Sequence, residues 1–262
     1  MPRSSHALAA LLAIALPSAA TAASPQSFKG EYIVSFLGLS IAKSTFSSHY
    51  ENGAYAIEGS VRAAGLAKLF DDTQGTVSSK GTISGKKMVP QAFRADYTSG
   101  KKASVVDIRF ANGTVTSTQV IPAPDKRDPK SWVPIGTGDL ASVLDPMAAT
   151  VIHADSLDQV CGRTVKFYDG EMRADLTLTY ASKGTISVPG YKGDTITCRM
   201  GFDPVAGYRK GRKALNYLKD RSRMMVTFAP LGQTGVYAPI HATVGTQIGT
   251  LTISARRFEA VQ

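Results

Sequence analysis

Apolar and polar residues alternate along most of this chain with a period of two. Tyr55, Ile57 and Val61 alternate with Glu58, Ser60 and Arg62, and Val106, Ile108 and Phe110 with Asp107 and Arg109. The longest run sets Met172, Ala174, Leu176, Leu178 and Tyr180 against Arg173, Asp175, Thr177 and Thr179. Successive side chains of a strand point to opposite faces. The pattern therefore predicts antiparallel strands with one face on a core and one toward water. Turn dipeptides fall between the runs: Asn52-Gly53, Asn112-Gly113 and Asp169-Gly170. Each accepts the positive φ values of a tight hairpin turn, so at least three hairpins and about a dozen strands are predicted.

One segment departs from this period. Leu140, Val143, Leu144, Met147 and Val151 follow helical spacing, and Asp145 precedes Pro146. Aspartate as N-cap with proline in the first turn suits a helix start. The reading is a turn over 139–144 and a short helix from Pro146 to about Ile152, whose apolar face plugs one end of the core. A second short helix is expected over 63–70. The stretch from Pro122 to Pro134, with Asp125-Lys126-Arg127-Asp128-Pro129 inside it, reads as a polar proline-rich loop and a point of subdivision. Gly38-Leu39-Ser40-Ile41-Ala42 and Gly249-Thr250-Leu251-Thr252-Ile253 are alike enough to hint at an internal duplication.

The N-terminus changes the picture of where this domain works. Arg3 is followed by ten residues, Ala7 to Leu16, that are all Ala, Leu or Ile; Pro17 and Ala20-Thr21-Ala22 come next. That order of cationic, apolar and small-x-small regions is a secretory signal peptide, too short to anchor in a bilayer. No cysteine near the cleavage point offers a site for lipid attachment. The expectation is a soluble periplasmic protein, not a lipoprotein, starting near Ala23 as one β-rich domain over 23–262. Two cysteines, Cys161 and Cys198, close a loop of 38 residues. In an oxidising compartment they should form a structural disulfide, with Cys198 facing the core beside Ile196 and Met200. Metal-ligand spacing and a Cys-x-x-Cys motif are both missing, and no cofactor is expected.

Candidate chemistry is sparse. His49, His153 and His241 are the histidines after residue 22, and His153-Ala154-Asp155-Ser156 holds hydrolase residue types only as sequence neighbours. Triads are assembled by geometry from separated positions, and no Gly-x-Ser-x-Gly elbow or His-Glu-x-x-His pair occurs. His241 is expected to face solvent. The chain reads as non-catalytic. Its formal charge of +10 falls to +9 once Arg3 is removed. The densest cationic stretch holds Arg209, Lys210, Arg212, Lys213, Lys219, Arg221 and Arg223 against Asp220 alone, with Tyr208, Tyr217 and Leu218 nearby. It reads either as a solvated loop or as a docking surface for anionic lipid or polysaccharide. Nucleic acid is a poor partner for an exported protein. Tyr32, Val34, Phe36 and the Met172–Tyr180 face could also line an apolar cleft.

Five stretches together resemble a family of secreted proteobacterial proteins known as a domain of unknown function of the 3108 type. They are Tyr32-Ile33-Val34-Ser35-Phe36-Leu37-Gly38, Leu144-Asp145-Pro146-Met147-Ala148-Ala149, Phe167-Tyr168-Asp169-Gly170, Cys198-Arg199-Met200 and Pro204-Val205-Ala206-Gly207-Tyr208. More distantly the chain is similar to envelope-integrity proteins built on a β-spiral with one disulfide. The resemblance implies a periplasmic β-rich domain and carries over no catalytic residue. Pattern and resemblance agree on a mainly β fold: antiparallel sheet forming a twisted open barrel or β-spiral, with one or two short helices on the core. Two functional readings follow. One is support of the cell envelope through binding a periplasmic partner or envelope component; the other is carriage or sensing of a hydrophobic or lipid ligand.

Overall fold

The structure is a computed structural model describing residues 26–65, 68 and 72–261. The proposed signal peptide lies outside the described residues, as does half of the helix expected over 63–70; Ala63 itself ends a strand. The first half is a meander of seven strands paired in chain order. They are β1 (Gln26–Phe36), β2 (Leu39–Glu51), β3 (Ala54–Ala63), β4 (Gln74–Ser84), β5 (Lys87–Ser99), β6 (Lys102–Ala111) and β7 (Thr114–Ile121). A long connection follows, holding the two-residue strands β8 (Trp132–Val133) and β9 (Ile152–His153). The second half supplies β10 (Arg163–Tyr168), β11 (Arg173–Val188), β12 (Tyr191–Ala206), β13 (Tyr208–Arg209), helix α1 (Lys213–Asp220), β14 (Met224–Pro230), β15 (Val236–Thr246) and β16 (Gly249–Val261).

Pairing of β16 with β1 fuses the two halves into one antiparallel sheet, ordered β10-β11-β12-β14-β15-β16-β1-β2-β3-β4-β5-β6-β7, with β9 added to β15. The predicted hairpins are all present. Asn52 and Gly53 (φ 49° and 74°) and Asn112 and Gly113 (φ 51° and 75°) adopt the left-handed pair of values that a type I′ turn needs. The two glycine-led segments suggestive of duplication begin β2 and β16, which flank β1.

The sheet curls without closing. Its edge strands β10 and β7 do not pair; the β10 edge tucks inside the β7 edge instead. Tyr168 packs with Phe93, Ile108 and Phe110 on the inner face, and its hydroxyl lies 3.2 Å from that of Thr118. Gly170 follows at φ +104°, and a Cβ there would sit 2.6 Å from Val106. Only glycine lets the inner edge come so close. The result is a spiral, an open barrel in which one edge overlaps the other.

The segment between β8 and β10 fills the interior, but not as the predicted helix. It forms a 3-10 turn at Thr137–Leu140, an extended stretch, and another 3-10 turn at Ala148–Thr150. The cap reading is right at its atoms: Asp145 accepts from the Met147 and Ala148 backbone N–H groups at 2.9 and 3.0 Å. The helix stops after one turn because the sheet claims the flanking backbone. Leu144 donates to Lys166 and accepts from Tyr168, and Ile152–His153 pairs with β15. Ser142 at φ +57° also interrupts any helix upstream. With walls on both sides, Val143 and Val151 are buried without helical geometry.

The cysteines form the expected disulfide, with Cα atoms 5.7 Å apart. Cys198 and Ile196 are fully buried on one face with Met200 beside them, half-buried. Two positions in the long alternating run depart from the pattern. Arg173, read as solvent-facing, is buried, because Thr137–Leu140 lies over it; its Nε donates to the Asp139 carbonyl and its guanidinium pairs with Asp175 at 2.7 Å. Tyr180, read as core, is exposed, since the ladder shifts register between Tyr180 and Ser182.

Candidate functional site

The two ends of the spiral differ. At one end lie the turns β2–β3, β4–β5 and β6–β7. Here Phe28, Ile57, Met88, Val151, Val236, Ile240 and Phe258 form a dense core. The β11–β12 hairpin bends over this end, with Tyr191 edge-on to Phe258 at 5.6 Å and the Phe258 N–H donating to Pro189. At the other end lie the turns β1–β2, β5–β6 and β15–β16, together with α1.

An apolar cleft of about 440 Å³ occupies this open half. Its walls include Phe46, Val61 and Val77 from the first half, Leu176, Leu178, Met200 and Val226 from the second, and Met147 and Ala149 from the internal segment. Alternation explains the lining, because these residues occupy the inward face of their strands. Gly59 sets its floor: a Cβ there would meet the Met147 methyl at 3.3 Å and Val77 at 3.0 Å. The Tyr32 hydroxyl donates to the Pro239 carbonyl at 2.9 Å, and burial pushes its pKa well above the ordinary phenol value. Of the residues expected to line a cleft, Tyr32, Leu176 and Leu178 do so. Val34, Phe36, Met172, Ala174 and Tyr180 are not in its lining. Phe46, Val61, Val77, Met147 and Ala149 went unforeseen. Alternation marked Val61 as inward, but nothing local says which inward residues remain uncovered.

Beneath the cleft sits one buried carboxylate. Asp145 is completely buried, and desolvation pushes its pKa up to about 6 against the opposing pull of the backbone N–H groups and of Ser79, which donates to it at 2.8 Å. No described cation pairs with it. The hydroxyls of Tyr50, Tyr55 and Ser48 are buried nearby.

The histidines are dispersed. His153 lies on β9 at the packed end, its pKa lowered by burial, while Asp155 is paired with Lys86. His241 is half-buried rather than solvent-facing, with Nδ1 2.9 Å from the Ser254 hydroxyl. His49 stands between Ser27 (2.8 Å), across the strand pair, and Glu51 (3.5 Å), two residues on along its own strand. All three lie on paired strands, His49 on β2, His153 on β9 and His241 on β15.

The basic stretch is folded. Arg209 lies on β13, which pairs with β8, and Lys213 and Lys219 lie on α1. Leu215 is the buried face of α1, with Leu218 half-buried at i+3 spacing; the surrounding charges masked this short helix. Arg209, Lys210, Arg212, Lys213, Lys219, Arg221 and Arg223 are all exposed. Lys219 pairs with Asp203 at 2.6 Å; the other six have no carboxylate partner among the described residues.

The family signature of DUF3108, a protein of unknown function, matches residues 31–256. The chain belongs to the DUF3108 family. No curated protein matches it. Among solved structures it is similar to the β-barrel-like protein of the DUF1849 domain of unknown function from Brucella abortus. The TM-score is 0.52 at 11% identity, over 91% of this chain and 98% of that one. A lipoprotein candidate from Parabacteroides distasonis also aligns, with a TM-score of 0.33 at 8% identity, covering 89% of this chain and 95% of that one. The Brucella structure supports the open β-barrel-like fold of this DUF3108 protein and nothing about its activity. Among the described residues no helix is long and apolar enough to cross a membrane.

Proposed function

We propose that this DUF3108 protein is a non-catalytic periplasmic binding protein that supports the cell envelope by holding an apolar ligand of the acyl-chain class. The observation that carries the reading is the cleft: about 440 Å³ of space walled by apolar side chains and open at one end. That volume is within the usual range for small-molecule sites, about 300–1,000 Å³, and such sites combine apolar walls with a few placed polar groups. Ser44 and Thr45, which also line the cleft, fit a ligand with a polar head. The N-terminal signal-like segment supports the periplasmic setting.

Native mass spectrometry of protein purified from the periplasm should show a bound lipid, and a dansyl-labelled fatty acid should brighten on binding. Ala149→Trp, which fills the cleft from the internal segment, should lose both signals while keeping the disulfide and cooperative unfolding. Absence of an adduct together with absence of probe binding by the wild type overturns the reading. Deletion of the gene should raise sensitivity to detergents, and wild-type resistance would count against the envelope role.

A further inference from the structure

We infer that the open end of the spiral is a docking surface for an anionic lipid bilayer, with the tips of the β1–β2 and β15–β16 hairpins as the inserted points. Among the described residues seven large apolar side chains are markedly exposed: Leu37, Leu39, Val61, Tyr97, Ile121, Tyr180 and Ile248. All except Tyr180 lie at or near strand ends on the open side. Scattered single apolar residues need no explanation, but six gathered at one end do. The most exposed are Ile248 at 79%, Leu37 at 65% and Leu39 at 62%. The β1–β2 and β15–β16 tips lie side by side, since a Cβ on Gly249, next to Ile248, would lie 2.5 Å from the Leu37 side chain and 3.0 Å from the Phe36 ring.

Leu37 is informative by its conformation. It occupies φ 49° ahead of Gly38 at φ 83°, the turn geometry that Asn52-Gly53 and Asn112-Gly113 supply at the packed end. Asparagine tolerates that conformation and leucine does so poorly. An exposed leucine held there costs fold stability and offers an apolar tip.

Charge complementarity selects an anionic bilayer as the occupant. Gln247, beside Ile248, donates to the Lys213 carbonyl; Ser222 donates to Gly245, and Gly245 donates to Arg223. These contacts bring Arg212, Lys213, Arg221 and Arg223 to the base of the apolar tips. Lys86 and Lys183, toward the packed end, are paired with Asp155 and Asp158. Apolar tips within an unpaired basic collar match the interface of an anionic bilayer, where the tips enter the acyl boundary and the cations meet headgroups. Docked this way, the protein turns the mouth of its cleft toward the lipid. That last consequence rests on the ligand reading; the docking itself does not.

Flotation with vesicles of phosphatidylglycerol and phosphatidylethanolamine tests it. Wild type should float at low salt, and phosphatidylcholine vesicles should bind it far less. Leu37→Asn/Leu39→Ser/Ile248→Ser should weaken binding by at least about tenfold, given the apolar area the tips would bury. Arg212→Glu/Lys213→Glu/Arg221→Glu/Arg223→Glu should abolish it, whereas Lys86→Glu/Lys87→Glu should not. Ala149→Trp should still float, which separates failure of the docking surface from failure of the cleft. The proposal is overturned if wild type does not float. It is equally overturned if binding depends on the cations but not on the tips, as for a general polyanion surface.

Discussion

The packed and open ends of this protein use the same strands and opposite side-chain choices. At the packed end the inward faces carry Phe28, Ile57, Ile240 and Phe258, the turns carry Asn-Gly, and a bent hairpin closes over them. At the open end the apolar inward faces line the cleft, a turn carries Leu-Gly, and Arg212, Lys213, Arg221 and Arg223 have no carboxylate partner among the described residues. One end is built for stability. The other gives up stability where an apolar ligand or surface would restore it, since only binding can cover that area.

Removing the disulfide should have the largest effect on this contrast. Cys161 and Cys198, 37 residues apart, tie the chain entering the inner edge strand β10 to β12 within a buried cluster that includes Val160, Leu178, Ile196 and Phe228. Cys161→Ser/Cys198→Ser should lose roughly 4 kcal/mol in urea titration, by the chain-entropy estimate for such a loop. Truncation should then separate the ends. Ile57→Ala in the packed core should cost about 3 kcal/mol, as large-to-small core changes do. Met200→Ala, on the half-covered cleft wall, should cost no more than about 1 kcal/mol, because less apolar area is lost from burial. Equal losses would show that the cleft is packed shut.

Asp145 gives a pH test at the boundary between the two ends. Its folded-state pKa of about 6 lies above the ordinary 3.8, so the folded protein holds the proton more tightly than the unfolded chain. Its contribution therefore favours folding below about pH 4, declines as pH rises toward 6, and stays lost above that. The difference across this window is about 3 kcal/mol. Asp145→Asn should flatten that part of the stability profile while keeping the cap on Met147 and Ala148. An unchanged profile would show that Asp145 ionises in the fold as it does in water. The smallest effect is at the turns. Leu37→Asn should stabilise by about 1 kcal/mol and Asn52→Leu destabilise by a similar amount, read as opposite shifts in Tm.

Much of the wall was legible in the chain. Alternation marks Ile57, Ile108 and Leu178 as inward, and Asn-Gly and Asp-Gly mark the turns, because pleat and turn geometry are properties of neighbouring residues. The disulfide was legible too, from a pair of cysteines and an exported context. The internal segment was misread because helical spacing and a chain enclosed between two walls bury the same residues, Val143 and Val151. Helix α1 was hidden because four of its eight residues are polar or charged, and only Leu215 is deeply buried.

The sequence by itself determined the local geometry: which residues share a face, where strands turn, and which cysteines can meet. Only the tertiary structure decided that the sheet spirals rather than closes, and therefore that one end of its apolar face is covered and the other open. The reason is physical. Alternation specifies that a face must leave water, but whether a strand edge, a folded-over hairpin or a ligand covers it depends on contacts between residues far apart in the chain. The Tyr168–Phe93 and Tyr191–Phe258 contacts are of that kind.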